Sequence, residues 1–327
     1  MVTADSSPLG RQSAAGGRRP VALGRLPGRR QVVRHRSKRG SVGAYVYLLP
    51  AALMLGGFIV YPLVRAVQYS FLAWDGVGSA KFTGVANWIR LATDPLESAA
   101  LLHVAILFAF YAVIPMALAL VAVGVVARRP WKGLTAFRAI VFLPQVLVTV
   151  VIAIVWTWLL GPYGNGSING IMHAIGIGSA VGPPWLGQFS TALVAVGLIA
   201  VWMQFGLCFV LFLAGIQRIP ATLYEAARVD GAGAVREFLS ITVPLLRREI
   251  GAVITISAVT ALGNFSLIYV ATNGGPGNAT MVPGLLIYRD AFQLGDVGDA
   301  SALGIAIAAL VFVITFGVRA ILERKAV

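Results

Sequence analysis

Between two apolar stretches the chain reads Ile219-Pro220-Ala221-Thr222-Leu223-Tyr224-Glu225-Ala226-Ala227-Arg228-Val229-Asp230-Gly231-Ala232, running on to Ile241-Thr242-Val243-Pro244. Thr222 and Glu225 have the T-x-x-E spacing of a capping box, in which a hydroxyl and a carboxylate satisfy free backbone N–H groups at a helix start. Ala226 and Ala227 leave one side of that helix narrow enough for another surface to approach, and Gly231 can take the left-handed conformation that ends it. Val235, Phe238 and Leu239 then repeat at helical spacing until Pro244, so two short helices joined by a tight turn are expected. Catalytic signatures are missing: the sequence contains no GxxxxGK[ST] phosphate loop, no HExxH and no GxSxG. His35, His103 and His173 are too scattered for a metal site, and His103 reads as an interfacial or packed histidine. The single cysteine, Cys208, sits among Leu207, Phe209 and Val210 and reads as a packing residue.

The elements that position this loop must lie in a membrane. Of 327 residues, 58% are hydrophobic and 12% charged, with a mean hydropathy of +0.84, whereas soluble domains carry about a quarter charged residues. Six apolar blocks, near 44–66, 98–127, 139–160, 189–213, 249–272 and 300–320, are long enough to cross about 30 Å of hydrocarbon at 1.5 Å per residue. They lack the period-2 alternation of barrel strands. An all-α membrane protein with six transmembrane helices follows. A cleaved signal peptide would need an apolar region of about 7 to 15 residues before small residues; the first block is longer and is followed by Arg65, Gln68 and Phe71, so it reads as a permanent span.

The net charge of +14 is concentrated at one side. Residues 1–43, rich in Gly, Ser, Pro and Arg, form a basic tail expected to be disordered, and they hold ten of the 26 Lys and Arg. With the segments 128–138 and 218–248 and the residues from Arg319 onward, 22 of the 26 fall on one side, against Lys81, Arg90, Arg289 and Arg65. The positive-inside rule places both termini in the cytoplasm. The same cations suit anionic membrane lipid, whereas no aromatics interleave them as nucleic-acid stacking would require. Inside the blocks stand uncharged polar residues such as Gln145, Gln204, Asn264 and Ser266, with Arg65, Glu249 and Arg319 at ends. A proton- or sodium-coupled transporter would keep an ionisable group at mid-membrane, so the energy for transport must come from elsewhere, or the protein is a passive channel.

The spacing Glu225-Ala-Ala, three residues, Gly231, nine residues, Ile241, then Pro244 resembles the EAA loop of permease subunits in bacterial ABC importers, with Val243 where the pattern usually has Leu. Other strings extend the resemblance across about 44–322: Leu49-Pro50, Tyr61-Pro62-Leu63, Phe82-Thr83-Gly84-Val85-Ala86-Asn87-Trp88, Phe142-Leu143-Pro144, Thr272-Asn273-Gly274-Gly275-Pro276, Ile287-Tyr288 and Ala291-Phe292. Together they look like the carbohydrate-type, binding-protein-dependent permeases.

That resemblance implies a type I importer fold over 44–322, with an EAA coupling loop at 214–248 and a short tail at 323–327. It implies partners: two copies of an ABC ATPase, a second and different permease, and an extracytoplasmic solute-binding protein that delivers a sugar or short oligosaccharide. No cofactor is expected, ATP being bound by the ATPase, and the setting is the bacterial inner or plasma membrane, crossed several times. Glu225, Ala226, Ala227, Asp230 and Gly231 would form the ATPase contact. Trp202, Gln204 and Asn264, in the fourth and fifth blocks, would touch the substrate, an aromatic ring stacking on a sugar face while amides bond its hydroxyls. A polyol or phosphorylated polyol remains open as the alternative substrate.

Overall fold

The computed structural model describes residues 41–126, 133–161, 166–178 and 182–324. The chain divides into two units, Met1–Leu53 and Met54–Val327. In the first, the described residues are helical from Ser41. Most of the basic tail expected over 1–43 lies outside the described residues, and positions 41–43 belong to the helix, which extends three residues upstream of the apolar block.

The elements run in order α1 (Ser41–Leu55), a π turn, α2 (Tyr61–Tyr69), β1 (Leu72–Ala73), β2 (Lys81–Phe82), α3 (Ala86–Thr93), α4 (Pro95–Phe108), a π turn, α5 (Ile114–Val126), α6 (Leu134–Val146), α7 (Thr149–Leu160) and α8 (Ser167–Ala174). Then come α9 (Ala192–Ile216), α10 (Ala221–Val229), α11 (Ala234–Glu237), a π turn at Phe238–Thr242, α12 (Val243–Leu245), α13 (Arg247–Leu262), α14 (Ser266–Ala271), α15 (Pro283–Arg289), a π turn at Asp290–Leu294 and α16 (Val297–Arg324). The two short strands form an antiparallel pair, Leu72 opposite Phe82.

Four of the six apolar blocks are continuous helices long enough to cross a membrane: Tyr47–Tyr69, Pro95–Val126, Ala192–Ile216 and Val297–Val318. The second starts where the sequence dictates: Asp94 Oδ1 accepts the Leu96 and Glu97 N–H groups at 2.7 and 3.3 Å, and Pro95 opens the helix. The other two blocks are broken. The third bends by 98° between α6 and α7; Pro144 withdraws a backbone donor, and Leu147 and Val148 are extended. The fifth stops at Leu262, passes through Gly263, Asn264 and Phe265, and resumes as α14.

Helix α9 is the axis of the second unit. Its first half packs Ala195, Val196, Ile199 and Ala200 against Leu107, Tyr111, Ile152, Ala153, Leu267 and Ile268. Its second half packs Phe209, Phe212 and Leu213 against Ala119, Val123, Leu246 and Val253, with Cys208 buried among them. Close approach is needed on the way: a Cβ at Gly206 would collide with the Val141 carbonyl of α6, so glycine is what lets these helices touch through their backbones.

Candidate functional site

The loop after α9 is a helical hairpin. Pro220, at φ −59° and ψ 133°, precedes α10, and its carbonyl accepts the Leu223 N–H at 3.2 Å. The helix therefore starts at Ala221, with Thr222 already in its first turn. The capping box expected from Thr222 and Glu225 does not form, because the proline sets the cap two residues earlier and no side chain caps it. Glu225 is thereby left at the surface beside exposed Ala226 and Asp230. The far end closes as the sequence leads one to expect: Gly231 stands at φ +77°, its N–H reaching the Arg228 carbonyl at 3.1 Å and that of Ala232 reaching Ala227 at 2.8 Å. This is the two-bond helix stop that a left-handed glycine allows.

Two cross-links fix the arms. Arg228 Nε donates to Glu237 Oε1 at 3.0 Å, with Glu237 only 4% exposed, and Tyr224 Oη lies 3.0 Å from Thr242 Oγ1. The Phe238 ring fills the space over Gly124 of α5, where a Cβ would stand 2.9 Å from it. Leu223, Val229, Val235 and Leu239 nevertheless face outward, so the hairpin is held rigidly and shows an apolar surface edged by Glu225 and Asp230.

Of the three residues assigned to the substrate, Trp202 and Gln204 stand on opposite sides of α9, and Asn264 lies between α13 and α14. Trp202 is 42% exposed and sets its ring edge-on to Trp156 at 5.6 Å. Gln204, two residues on and so on the opposite side of the helix, is 2% exposed and donates to Ser257 Oγ of α13 at 3.4 Å. Asn264, 7% exposed, lies in the break between α13 and α14, and its Nδ2 is buried without a hydrogen-bond partner. A lone buried donor costs about 1 to 3 kcal/mol.

Sequence reasoning missed the surroundings of that break. Phe265 stacks on Tyr269 at 5.0 Å, Tyr288 meets both at 5.2 and 5.5 Å, and Phe292 meets Tyr288 at 5.6 Å. The signal was present as two aromatic pairs at i, i+4, which align on a helix face. Beside them a cavity of about 360 Å³ is lined by Asn273, Asn278, Met281, Leu285, Arg289 and Gln293. His103 Nδ1 lies 2.8 Å from the Met281 carbonyl, a packed histidine. Arg90 of α3 reaches Asp296 at 2.7 Å and Asp299 at 3.4 Å. Nearby, burial and the charges of Asp299 and Asp296 push the Asp290 carboxyl up to about 6.

Apolar helices long enough to span a bilayer, ionisable groups confined to their ends and a braced hairpin define a membrane-embedded transport component. The chain belongs to the family described as the binding-protein-dependent transport system inner membrane component, whose family model matches residues 119–327. It is 32% identical to the diacetylchitobiose uptake system permease protein of Streptomyces coelicolor, over 78% of this chain and 75% of that one. It is also 32% identical to the trehalose/maltose transport system permease protein of Thermococcus litoralis, over 83% and 90%. In a crystal structure of a bacterial ABC transporter involved in the import of the acidic polysaccharide alginate, one chain shares the fold with a TM-score of 0.71, covering 86% of this chain and 96% of that one at 23% identity. The protein is thus a multi-pass permease with the type I importer fold.

Proposed function

We propose that this permease is one half of an ATP-driven importer, forming with a second, different permease the path for a sugar or short oligosaccharide. A solute-binding protein delivers the sugar outside, and two copies of an ABC ATPase, which bind the ATP, work against the hairpin on the cytoplasmic face of the bacterial cell membrane. The observation that carries this reading is the hairpin itself: Glu225, Ala226 and Asp230 lie exposed on a frame braced by Arg228–Glu237 and Tyr224–Thr242. Such a frame can receive a push and pass it to α5 through Phe238 and Gly124. The sugar half of the reading is supported by the relatives' names, which include a sulfoquinovosyl glycerol transport system permease protein of Agrobacterium fabrum, 30% identical over 83% of this chain.

In this reading Ala227 and Gly231 shape the ATPase contact and Glu225 supplies its charge. Trp202 and Asn264 belong to the path, and Gln204 supports it by tying α9 to α13 through Ser257. The test is ATP-dependent uptake of labelled maltose and diacetylchitobiose into membrane vesicles holding the assembled transporter and its binding protein. Glu225→Ala is expected to leave the amount of permease unchanged while uptake falls about tenfold, the effect of losing about 1.4 kcal/mol at the contact. Normal uptake together with normal retention of the ATPase would remove Glu225 from the contact.

A further inference from the structure

The cavity between the 273–281 loop and α15 is lined by a cation and by no acid. Arg289 stands half-buried on α15, while Asn273, Asn278 and Gln293 edge the opening. Among the described residues none of these four side chains has a hydrogen-bond or ion-pair partner. We infer that this cavity is a binding site for a sugar that carries a carboxylate, such as a uronic acid, with the Arg289 guanidinium taking the carboxylate and the amides taking hydroxyls. The inference rests on the sugar reading above and deepens it by naming a substrate class. The cavity is separate from Trp202, Gln204 and Asn264, none of which lines it.

Charge separates a carboxylate from a neutral ligand. The side of the membrane opposite to the hairpin carries few cations, Lys81, Arg90, Arg289 and Arg65. Arg90 is engaged by Asp296 and Asp299, and Arg65 by Gln68 and the Tyr69 ring. Arg289 has no such engagement: Asp290, next in the chain, feels its charge, yet no carboxylate comes within ion-pair distance of it among the described residues. Nor does a free helix end hold it, because α15 continues through helical Asp290 into the π turn Asp290–Leu294. A neutral sugar filling the cavity would strip water from this guanidinium and leave it unpaired, whereas a carboxylate meets it with two parallel N–H···O bonds.

Shape and rigidity agree with that ligand. A volume of about 360 Å³ lies within the range of small-molecule sites, about 300 to 1,000 Å³. Its floor is apolar, Met281 and Leu285 being buried, and can receive the C–H face of a sugar ring. The amides at the rim each offer donors and an acceptor to hydroxyls. The loop wall is also set before a ligand arrives. Buried Thr280 ties it through Oγ1 to the Gly275 carbonyl at 2.8 Å and to Thr272 Oγ1 at 2.7 Å, and its N–H donates to the Gly274 carbonyl at 3.1 Å. Little ordering is then lost on binding.

The experiment is equilibrium binding of labelled digalacturonate to membrane vesicles that hold the assembled permeases and ATPase without the solute-binding protein. Uptake of digalacturonate and of maltose by the complete transporter is followed in parallel. The unaltered complex is expected to bind digalacturonate, with maltose competing about tenfold more weakly or not at all. Arg289→Gln is expected to weaken binding about tenfold with the amount of complex constant, and Arg289→Lys, which keeps the charge and loses the fork, about threefold. Added salt should weaken binding to the unaltered complex and change little for Arg289→Gln. No digalacturonate binding alongside uptake of maltose overturns the inference and leaves the sugar reading standing, as does binding that Arg289→Gln does not change. If Arg289→Gln instead loosens the solute-binding protein on the complete transporter and leaves digalacturonate binding intact, the cavity receives an acidic side chain of that protein and the sugar site falls. A complete transporter that takes up neither digalacturonate nor maltose overturns the sugar reading itself, and this inference with it.

Discussion

The hairpin at one end of the bundle and the aromatic region at the other are built on different principles. The hairpin is closed by partners close in sequence, Arg228 with Glu237 nine residues on and Tyr224 with Thr242 eighteen on. The outer region is tied by partners far apart, His103 with the Met281 carbonyl at a separation of 178 residues and Arg90 with Asp296 at 206. A locally closed unit can fold and move as one body. A region assembled from distant spans exists only when those spans are packed, so it feels every shift between them. In the importer proposed above, that contrast suits a device driven from one end and opened at the other.

The largest expected effect tests the autonomy of the hairpin. Proline fixes φ near −65°, whereas Gly231 stands at +77° and donates its N–H to Arg228. Gly231→Pro should therefore cost about 3 kcal/mol or more in the hairpin alone, enough to cut uptake about a hundredfold. Membrane content and thermal stability of the bundle should stay unchanged, as immunoblots of vesicles and unfolding in detergent would read. If the whole protein is lost instead, the hairpin is not a separate unit and the contrast collapses.

Next in size is the matching cut at the outer end. Arg90→Ala leaves Asp299, nearly buried, and Asp296 without their shared cation. Breaking a fully buried pair costs about 3 to 5 kcal/mol, but Arg90 is half exposed, so about 1 to 2 kcal/mol is expected. Because the bond joins α3 to the start of α16, the melting temperature in detergent should fall by a few degrees. A loss of uptake with no change in melting would mean that the bond serves the path and not the assembly.

The same contrast decides what was legible in the sequence. The hairpin announced itself through Pro220, Gly231 and Pro244, residues whose backbone demands are local; the capping box failed only because Pro220 pre-empted Thr222. The continuous spans were legible from length and apolarity. The breaks at Leu147–Val148 and Gly263–Phe265 were not, since an apolar run reads alike whether it is straight or bent; Pro144, just before the first break, was the local signal passed over. Trp202 and Gln204 were grouped by chemistry although two residues on a helix must face opposite ways. The ties of Arg90 and His103 depend on which spans become neighbours, and nothing local encodes that.

The smallest effect concerns acidity, and it separates the two ends again. Burial first, then the charges of Asp299 and Asp296, raise the Asp290 carboxyl from 3.8 to about 6, with Arg289 and Arg90 pulling the other way. Between those values the folded protein holds a proton that the unfolded chain has released, so acid favours the fold there. The contribution is complete below about pH 4 and is lost as pH rises through about 6. Asp290→Asn keeps the size and removes the charge, so at pH 7.5 it should raise the melting temperature by about a degree, with the gain fading as pH falls toward 4. Tyr224→Phe in the hairpin serves as the control: it deletes one hydroxyl contact, to Thr242 Oγ1, worth about 0.5 to 1.5 kcal/mol. Its effect should be the same at every pH in that range, and a pH-dependent shift for both variants would show that the acid response belongs to the bundle as a whole.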